Sequence, residues 1–157
     1  QEMGRRAGTE NVIGLAGFGA AAEAAALDLA SGKWAKIEKL RNILEQALEA
    51  SGKHIISIGK GSTRLPNTSC FSAPGWKGET QVMQMDLAGF AVSAGSACSS
   101  GKVKTSKVLC AMGYEDEVAS SAIRVSLGLQ TTEDEIQQFV TVWLAAYERF
   151  LVRKAAG

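Results

Sequence analysis

The stretch Ala122-Ile123-Arg124-Val125-Ser126-Leu127-Gly128-Leu129-Gln130-Thr131-Thr132-Glu133-Asp134-Glu135 decides the fold, because it holds a complete strand and the start of the longest amphipathic helix. Ala122 to Leu127 alternates apolar and polar side chains, which sets Arg124 and Ser126 on one face of a strand. Gly128 ends the alternation. Thr132 and Glu135, three residues apart, form a capping box that opens a helix. Behind it Ile136, Phe139, Val140, Trp143, Tyr147, Phe150 and Leu151 make a wide apolar stripe, and Arg149, Arg153 and Lys154 suit the negative end of the helix dipole.

Upstream, Val12, Leu15, Gly19, Ala22, Ala26 and Leu29 recur at steps of three and four, predicting a helix over residues 12–30 that Gly32 breaks. Glu23 and Asp28 interrupt its apolar run, so it reads as a core helix rather than a membrane span. Ile37, Leu40, Leu44 and Ala47/Leu48 mark a second helix, stopped at Gly52, whose outer face carries Lys36, Arg41, Glu45 and Glu49. On that face Arg41 and Glu45 are spaced to pair. His54 to Ile58 and Asn67 to Phe71 read as strands, separated by the turn Gly59-Lys60-Gly61-Ser62 and by Pro66. A third helix is expected over Gly78–Leu87, a short extended piece at Phe90-Ala91-Val92, and a short helix from Ser106 to Met112 ended by Gly113. Helices outnumber strands without regular crossovers, which predicts an α+β layer: a short sheet packed with helices in one domain, residues 1–157.

Composition narrows the function. The 157 residues are 46% hydrophobic and 21% charged, ordinary for a soluble domain with a core. The 17 basic and 16 acidic residues leave a charge of +1 and no run of one sign, so nucleic acid and membrane surfaces are not expected partners. The 3 cysteines, Cys70, Cys98 and Cys110, have neither an even count nor CxxC spacing, which speaks against a disulfide framework or a zinc site and for a reducing, cytoplasmic setting. No signal peptide pattern opens the chain. Gln1 in place of an initiator methionine suggests a piece of a longer protein.

Three places carry candidate chemistry. Ser93-Ala94-Gly95-Ser96-Ala97-Cys98-Ser99-Ser100-Gly101-Lys102 sets a cysteine among small residues with nothing bulky to bury it, and Lys102 and Lys104 favour its thiolate. Cys70 and Cys110 fall on a strand and a helix and read as small core residues. Arg5-Arg6-Ala7-Gly8-Thr9 before a helix suits a phosphate, or Thr9 is simply the N-cap. Arg124, inside an apolar strand, reads as a buried guanidinium that needs a structural carboxylate or the carboxylate of a ligand. His54, the sole histidine, borders a strand and reads as an edge residue rather than half of a Cys-His pair.

In this order and spacing, Arg6-Ala7-Gly8-Thr9-Glu10-Asn11, Ser93 through Gly101, and Ile123-Arg124-Val125-Ser126-Leu127-Gly128 with Thr131-Thr132-Glu133 closely resemble the NifS/IscS-like group of cysteine desulfurases. These are pyridoxal 5'-phosphate enzymes of aminotransferase fold type I, in the class V aminotransferase family, and the chain resembles their C-terminal small domain. The resemblance implies that Cys98 takes sulfur from L-cysteine as a persulfide and releases L-alanine, and that Arg124 grips the substrate carboxylate. It implies that Thr9 bonds the cofactor phosphate across a homodimer, and that the sulfur passes to an acceptor or scaffold protein for iron-sulfur cluster or thio-cofactor assembly. The family's cofactor lysine follows a histidine, whereas Ile55 follows His54 and no lysine here has a histidine before it. The aspartate and histidine that hold the ring, and the asparagine that places the substrate, lie upstream in relatives. The chain alone is therefore expected neither to hold the cofactor covalently nor to turn over cysteine. The alternative is a noncatalytic persulfide-carrier or protein-interaction domain.

Overall fold

Strand β4 (Ala122–Ser126) forms inside the alternating stretch and pairs antiparallel on both sides, with β2 (Thr68–Ser72) and with β3 (Ser93–Ala94). With β1 (Ile56–Ser57) beyond β2, the sheet order is β1-β2-β4-β3. This architecture comes from a computed structural model that describes residues 2–5, 7–8, 10–95 and 105–156. Cys98 and Thr9 lie outside the described residues. Helices α1 (Val12–Ala30), α2 (Lys33–Ala50), α3 (Gly78–Leu87), α4 (Lys107–Ala111), α5 (Asp116–Ser120) and α6 (Glu133–Ala156) complete the mixed fold expected for a short sheet packed with helices. The chain divides into two units, Gln1–Trp34 and Ala35–Gly157.

Within the larger unit the sheet register sorts side chains by face. Phe71 and Ile123, paired in register, point to the side covered by α6, where Phe71 meets Trp143 edge to face at 5.2 Å. Helix α2 covers the same side, since the Ser69 hydroxyl donates to Glu45 at 2.8 Å. Ile37, Leu40, Leu44 and Leu48 of α2 and Ile136, Phe139, Val140, Trp143 and Tyr147 of α6 are buried, as their periodicity requires. The Thr132–Glu135 capping box forms in full: the Thr132 amide donates to Glu135 at 2.8 Å and the Glu135 amide to the Thr132 hydroxyl at 3.3 Å. On the opposite face Ile58, Leu109, Ala119 and Ala122 make a smaller core, with Cys70, Tyr114 and Val118 packed against it.

Helix α3 seats directly on the sheet because its first residue is glycine. A Cβ at Gly78 would stand 2.8 Å from the Ala122 carbonyl oxygen and 2.9 Å from the Ala94 Cβ. One buried amide then ties four segments together. The Gln81 Nε2 donates to the carbonyls of Trp76 and Ser121, at 2.7 and 2.8 Å, and its Oε1 accepts from the Trp143 indole N–H at 3.1 Å.

Several expectations are corrected. Helix α1 forms where its periodicity places it, but none of its residues is buried, so it is not a core helix of this chain. Its large side chains, including Val12, Ile13, Leu15, Phe18, Leu27 and Leu29, spread over more than half of the helix circumference instead of one stripe, and all are exposed. By length and composition it is long and apolar enough to cross a membrane, with a mean hydropathy of 1.5. Its N-cap is Asn11, whose side chain accepts from the Gly14 amide at 3.0 Å, and not Thr9. Arg41 and Glu45 are buried rather than outward, and neither pairs with the other: Arg41 meets Glu38, and Glu45 meets Arg64. The strand expected over residues 54–58 shortens to Ile56–Ser57, the extended piece expected at 90–92 pairs instead at Ser93–Ala94, and α5 had no expectation.

Candidate functional site

The central row of the sheet builds the site. In register, Arg124 of β4 lies directly between Cys70 of β2 and Ser93 of β3. Directly opposite residues in antiparallel strands project to the same face. All three line a cleft of about 330 Å³, together with Ala94, Gly95, Ser106, Lys107, Val108, Leu109, Ala122 and Ile123. Gly95 and Ser106 belong to the two described stems that flank the segment carrying Cys98, so the cleft is walled by both ends of that segment. The stems are fixed by different means. Pairing with β4 holds Ser93 and Ala94, while the Ser106 hydroxyl caps α4 by accepting from the Leu109 amide at 3.4 Å.

Arg124 does not behave as the sequence suggested. It is exposed rather than buried, because the polar phase of the β4 alternation faces the cleft, and among the described residues no carboxylate pairs with it. The structural carboxylate foreseen as one of its two partners is absent among the described residues. Among the described residues the cleft lining carries two cationic side chains, Arg124 and Lys107, and no acidic one. That donor set suits a small anion, above all a carboxylate that a planar guanidinium can bind through two N–H groups.

The resemblance also implies pyridoxal phosphate, and the described lining does not make a complete cradle for it. A pyridoxal ring requires a lysine for its aldehyde carbon and a partner for its ring nitrogen. The lining offers no carboxylate for that nitrogen and no aromatic ring to stack on it. Thr9, the residue carried over to the phosphate, lies outside the described residues. The cleft therefore fits the carboxylate of a substrate and not the whole cofactor.

The other cysteines differ from one another, and Cys110 departs from expectation. Cys110 is exposed, not a core residue, because its side chain leaves the apolar side of the short helix α4; its sulfur lies 3.7 Å from an Asp116 carboxylate oxygen. Cys70 is partly buried, and burial pushes its thiol above the usual range, against the smaller opposing pull of Arg124 and Arg64. Iodoacetamide at neutral pH should accordingly modify Cys110 well before Cys70, read by peptide mass spectrometry; equal rates would contradict the burial of Cys70. His54 is exposed and stands outside the cleft lining; its carbonyl accepts from the Tyr147 hydroxyl at 3.2 Å.

Residues 1–139 match the family described as aminotransferase class-V. The chain is 41% identical over 140 residues to a cysteine desulfurase of Klebsiella pneumoniae, covering 89% of this chain and 35% of that protein. It is 38% identical over 140 residues to the cysteine desulfurase NifS of Azotobacter vinelandii, again covering 89% of this chain and 35% of the relative. The solved NifS-like protein of Rickettsia africae superposes with a TM-score of 0.81 at 32% identity, over 94% of this chain and 38% of that one. The chain thus spans about a third of the length of the relatives it matches. By the match over residues 1–139, this chain belongs to the aminotransferase class-V family.

Proposed function

We propose that the chain is the C-terminal part of a cysteine desulfurase, and that in the complete protein it takes part in converting L-cysteine to L-alanine with transfer of the sulfur to Cys98. The observation that carries this reading is Arg124, presented without a carboxylate partner among the described residues into a cleft walled by both stems of the Cys98 segment. Arg124 binds and orients the carboxylate of the amino acid. Cys98 receives the sulfur: the carbon-sulfur bond of the substrate breaks, a sulfur-sulfur bond forms, and the thiol proton of Cys98 balances the alanine that leaves. In the complete protein Thr9 would bond the phosphate of pyridoxal phosphate, the remaining contacts would come from the rest of the protein, and the cofactor would supply the electron withdrawal that labilises the carbon-sulfur bond. The complete protein works as a cytoplasmic homodimer and passes the persulfide to an acceptor or scaffold protein for iron-sulfur or thio-cofactor assembly.

After turnover of the complete protein with L-cysteine, peptide mass spectrometry should find one added sulfur on the Cys98 peptide and none on the Cys70 or Cys110 peptides. The isolated chain should release no alanine, since it holds no lysine preceded by a histidine. Alanine release without any persulfide on Cys98 would refute the assignment. Sulfur accepted by the isolated chain from a low-molecular-weight persulfide, with no desulfurase activity in the complete protein, would instead make this a carrier domain.

A further inference from the structure

The row Cys70–Arg124–Ser93 crosses three strands in register, and its flanking members are both small and uncharged. Directly opposite side chains in an antiparallel pair have Cβ atoms about 5 Å apart, the range in which an acidic residue captures a facing arginine. A carboxylate at residue 70 would thus close an ion pair across the strands and neutralise the guanidinium before any ligand arrived. No acidic side chain lines the cleft from the β3 stem or from the α4 stem either. Cys70 is held in this place by packing on the smaller core, so the side chain in register with Arg124 does not swing away.

We infer that Cys70 is a specificity-determining positioning residue, whose uncharged thiol keeps Arg124 uncommitted and so available to the carboxylate of the substrate. This rests on the reading of Arg124 given above. It assigns Cys70 no sulfur chemistry, in keeping with its partial burial and with the raised range of its thiol. The work is thereby divided: Cys98 carries sulfur in the proposed reaction, while Cys70 maintains the charge of the anion site. Replacing Cys70 by serine preserves the arrangement, since a hydroxyl is likewise small and uncharged. Replacing it by aspartate converts the anion site into an internal ion pair.

The test uses the complete protein with Cys70→Asp, Cys70→Ser and Arg124→Ala. Cys70→Asp should raise KM for L-cysteine at least tenfold while kcat stays within threefold, and Cys70→Ser should leave both within twofold. A second readout avoids turnover. Bound L-alanine, used as the carboxylate probe, offsets the positive charge of Arg124, so the pH midpoint of Cys70 alkylation should move upward when it is added. In Arg124→Ala that midpoint should already be high and should not respond; Arg64 and Lys107, the other cations near the thiol among the described residues, remain in both proteins. If Arg124→Ala raises KM but Cys70→Asp does not, the role given to Cys70 is wrong and the reading of Arg124 stands. If Arg124→Ala leaves KM unchanged, the carboxylate site itself is wrong and the inference falls with it. Should Cys70→Asp fail to fold, a Cys70 midpoint indifferent to L-alanine in the unmodified protein overturns the inference on its own.

Discussion

Replacing Trp143 by alanine is expected to cost about 4 kcal/mol, enough to unfold a large share of the molecules of a marginally stable domain. Trp143 is fully buried on α6 and holds three other rings: Phe71 edge to face at 5.2 Å, Tyr147 tilted at 5.3 Å and Trp76 tilted at 5.4 Å. Its truncation leaves a cavity at the junction of sheet and helix and removes those contacts together. It also strands the Gln81 side-chain oxygen, which accepts from the Trp143 indole at 3.1 Å in a buried setting. Trp143→Phe separates the two effects, because it keeps a ring and loses the N–H, and should cost only about 1–2 kcal/mol. Urea unfolding of the two variants measures this as a fall in midpoint at constant slope. An alanine variant within 1 kcal/mol of the parent would mean that the sheet and α6 do not depend on this cluster.

The elements whose pattern is local were legible in the sequence. The β4 alternation and the Thr132–Glu135 box form as written, and the α6 stripe does so as far as Tyr147, with Phe150 half-buried and Leu151 exposed, because each is set by residues a few positions apart. What was not legible depends on partners distant in the chain. Arg41 and Glu45 stand four residues apart on α2 with opposite charges, so a surface pair was the natural expectation. The loop after β1 instead delivers Arg64 to Glu45, and β2 delivers Ser69, which draws the carboxylate inward. Gln81 gave no signal either: a glutamine on a helix reads as solvent-facing until two backbone carbonyls and an indole N–H are found around it. Helix α1 shows the reverse limit, since periodicity predicts a helix but not whether anything in the same chain covers it.

The site divides along the same line. The type and strand position of Arg124 could be read, and so could the small-residue setting of Cys98. That Arg124 is exposed follows only from which phase of the alternation faces the cleft, and this depends on where α2 and α6 pack. Cys70 could be recognised as part of the site only through register, which brings residues 54 positions apart in sequence into one row. The strand it occupies was expected from its composition, but nothing in the sequence states which residue of β4 it faces.

Glu45→Gln should destabilise the protein by about 3 kcal/mol at pH 7, and the loss should shrink in acid. Glu45 is 4% exposed and accepts two parallel N–H bonds from Arg64, at 2.8 and 2.9 Å, besides the Ser69 hydroxyl at 2.8 Å. Burial alone would push its carboxyl up. The hydrogen bonds from Arg64 and Ser69, with the charges of Arg64 and Arg41, outweigh burial and hold the carboxyl below its ordinary 4.5. A carboxyl depressed by folding adds stability above its unfolded pKa, and that contribution is lost as pH falls through the folded value. In the parent protein the Glu45 contribution is therefore present at neutral pH and fades below about pH 4.5, whereas glutamine has no such dependence. Glutamine can accept from one donor of Arg64 but leaves the cation without a counter-charge, and the Arg64 side chain is only 18% exposed. The triple variant Glu45→Met, Arg64→Leu and Ser69→Ala removes both charges together with the hydroxyl that donates to Glu45, and should recover much of the loss because no buried polar group is left without its partner. Urea midpoints of the three proteins between pH 3 and pH 7 decide the matter. A Glu45→Gln penalty that stays constant across that range would show that the carboxylate charge is not what holds α2 to the sheet.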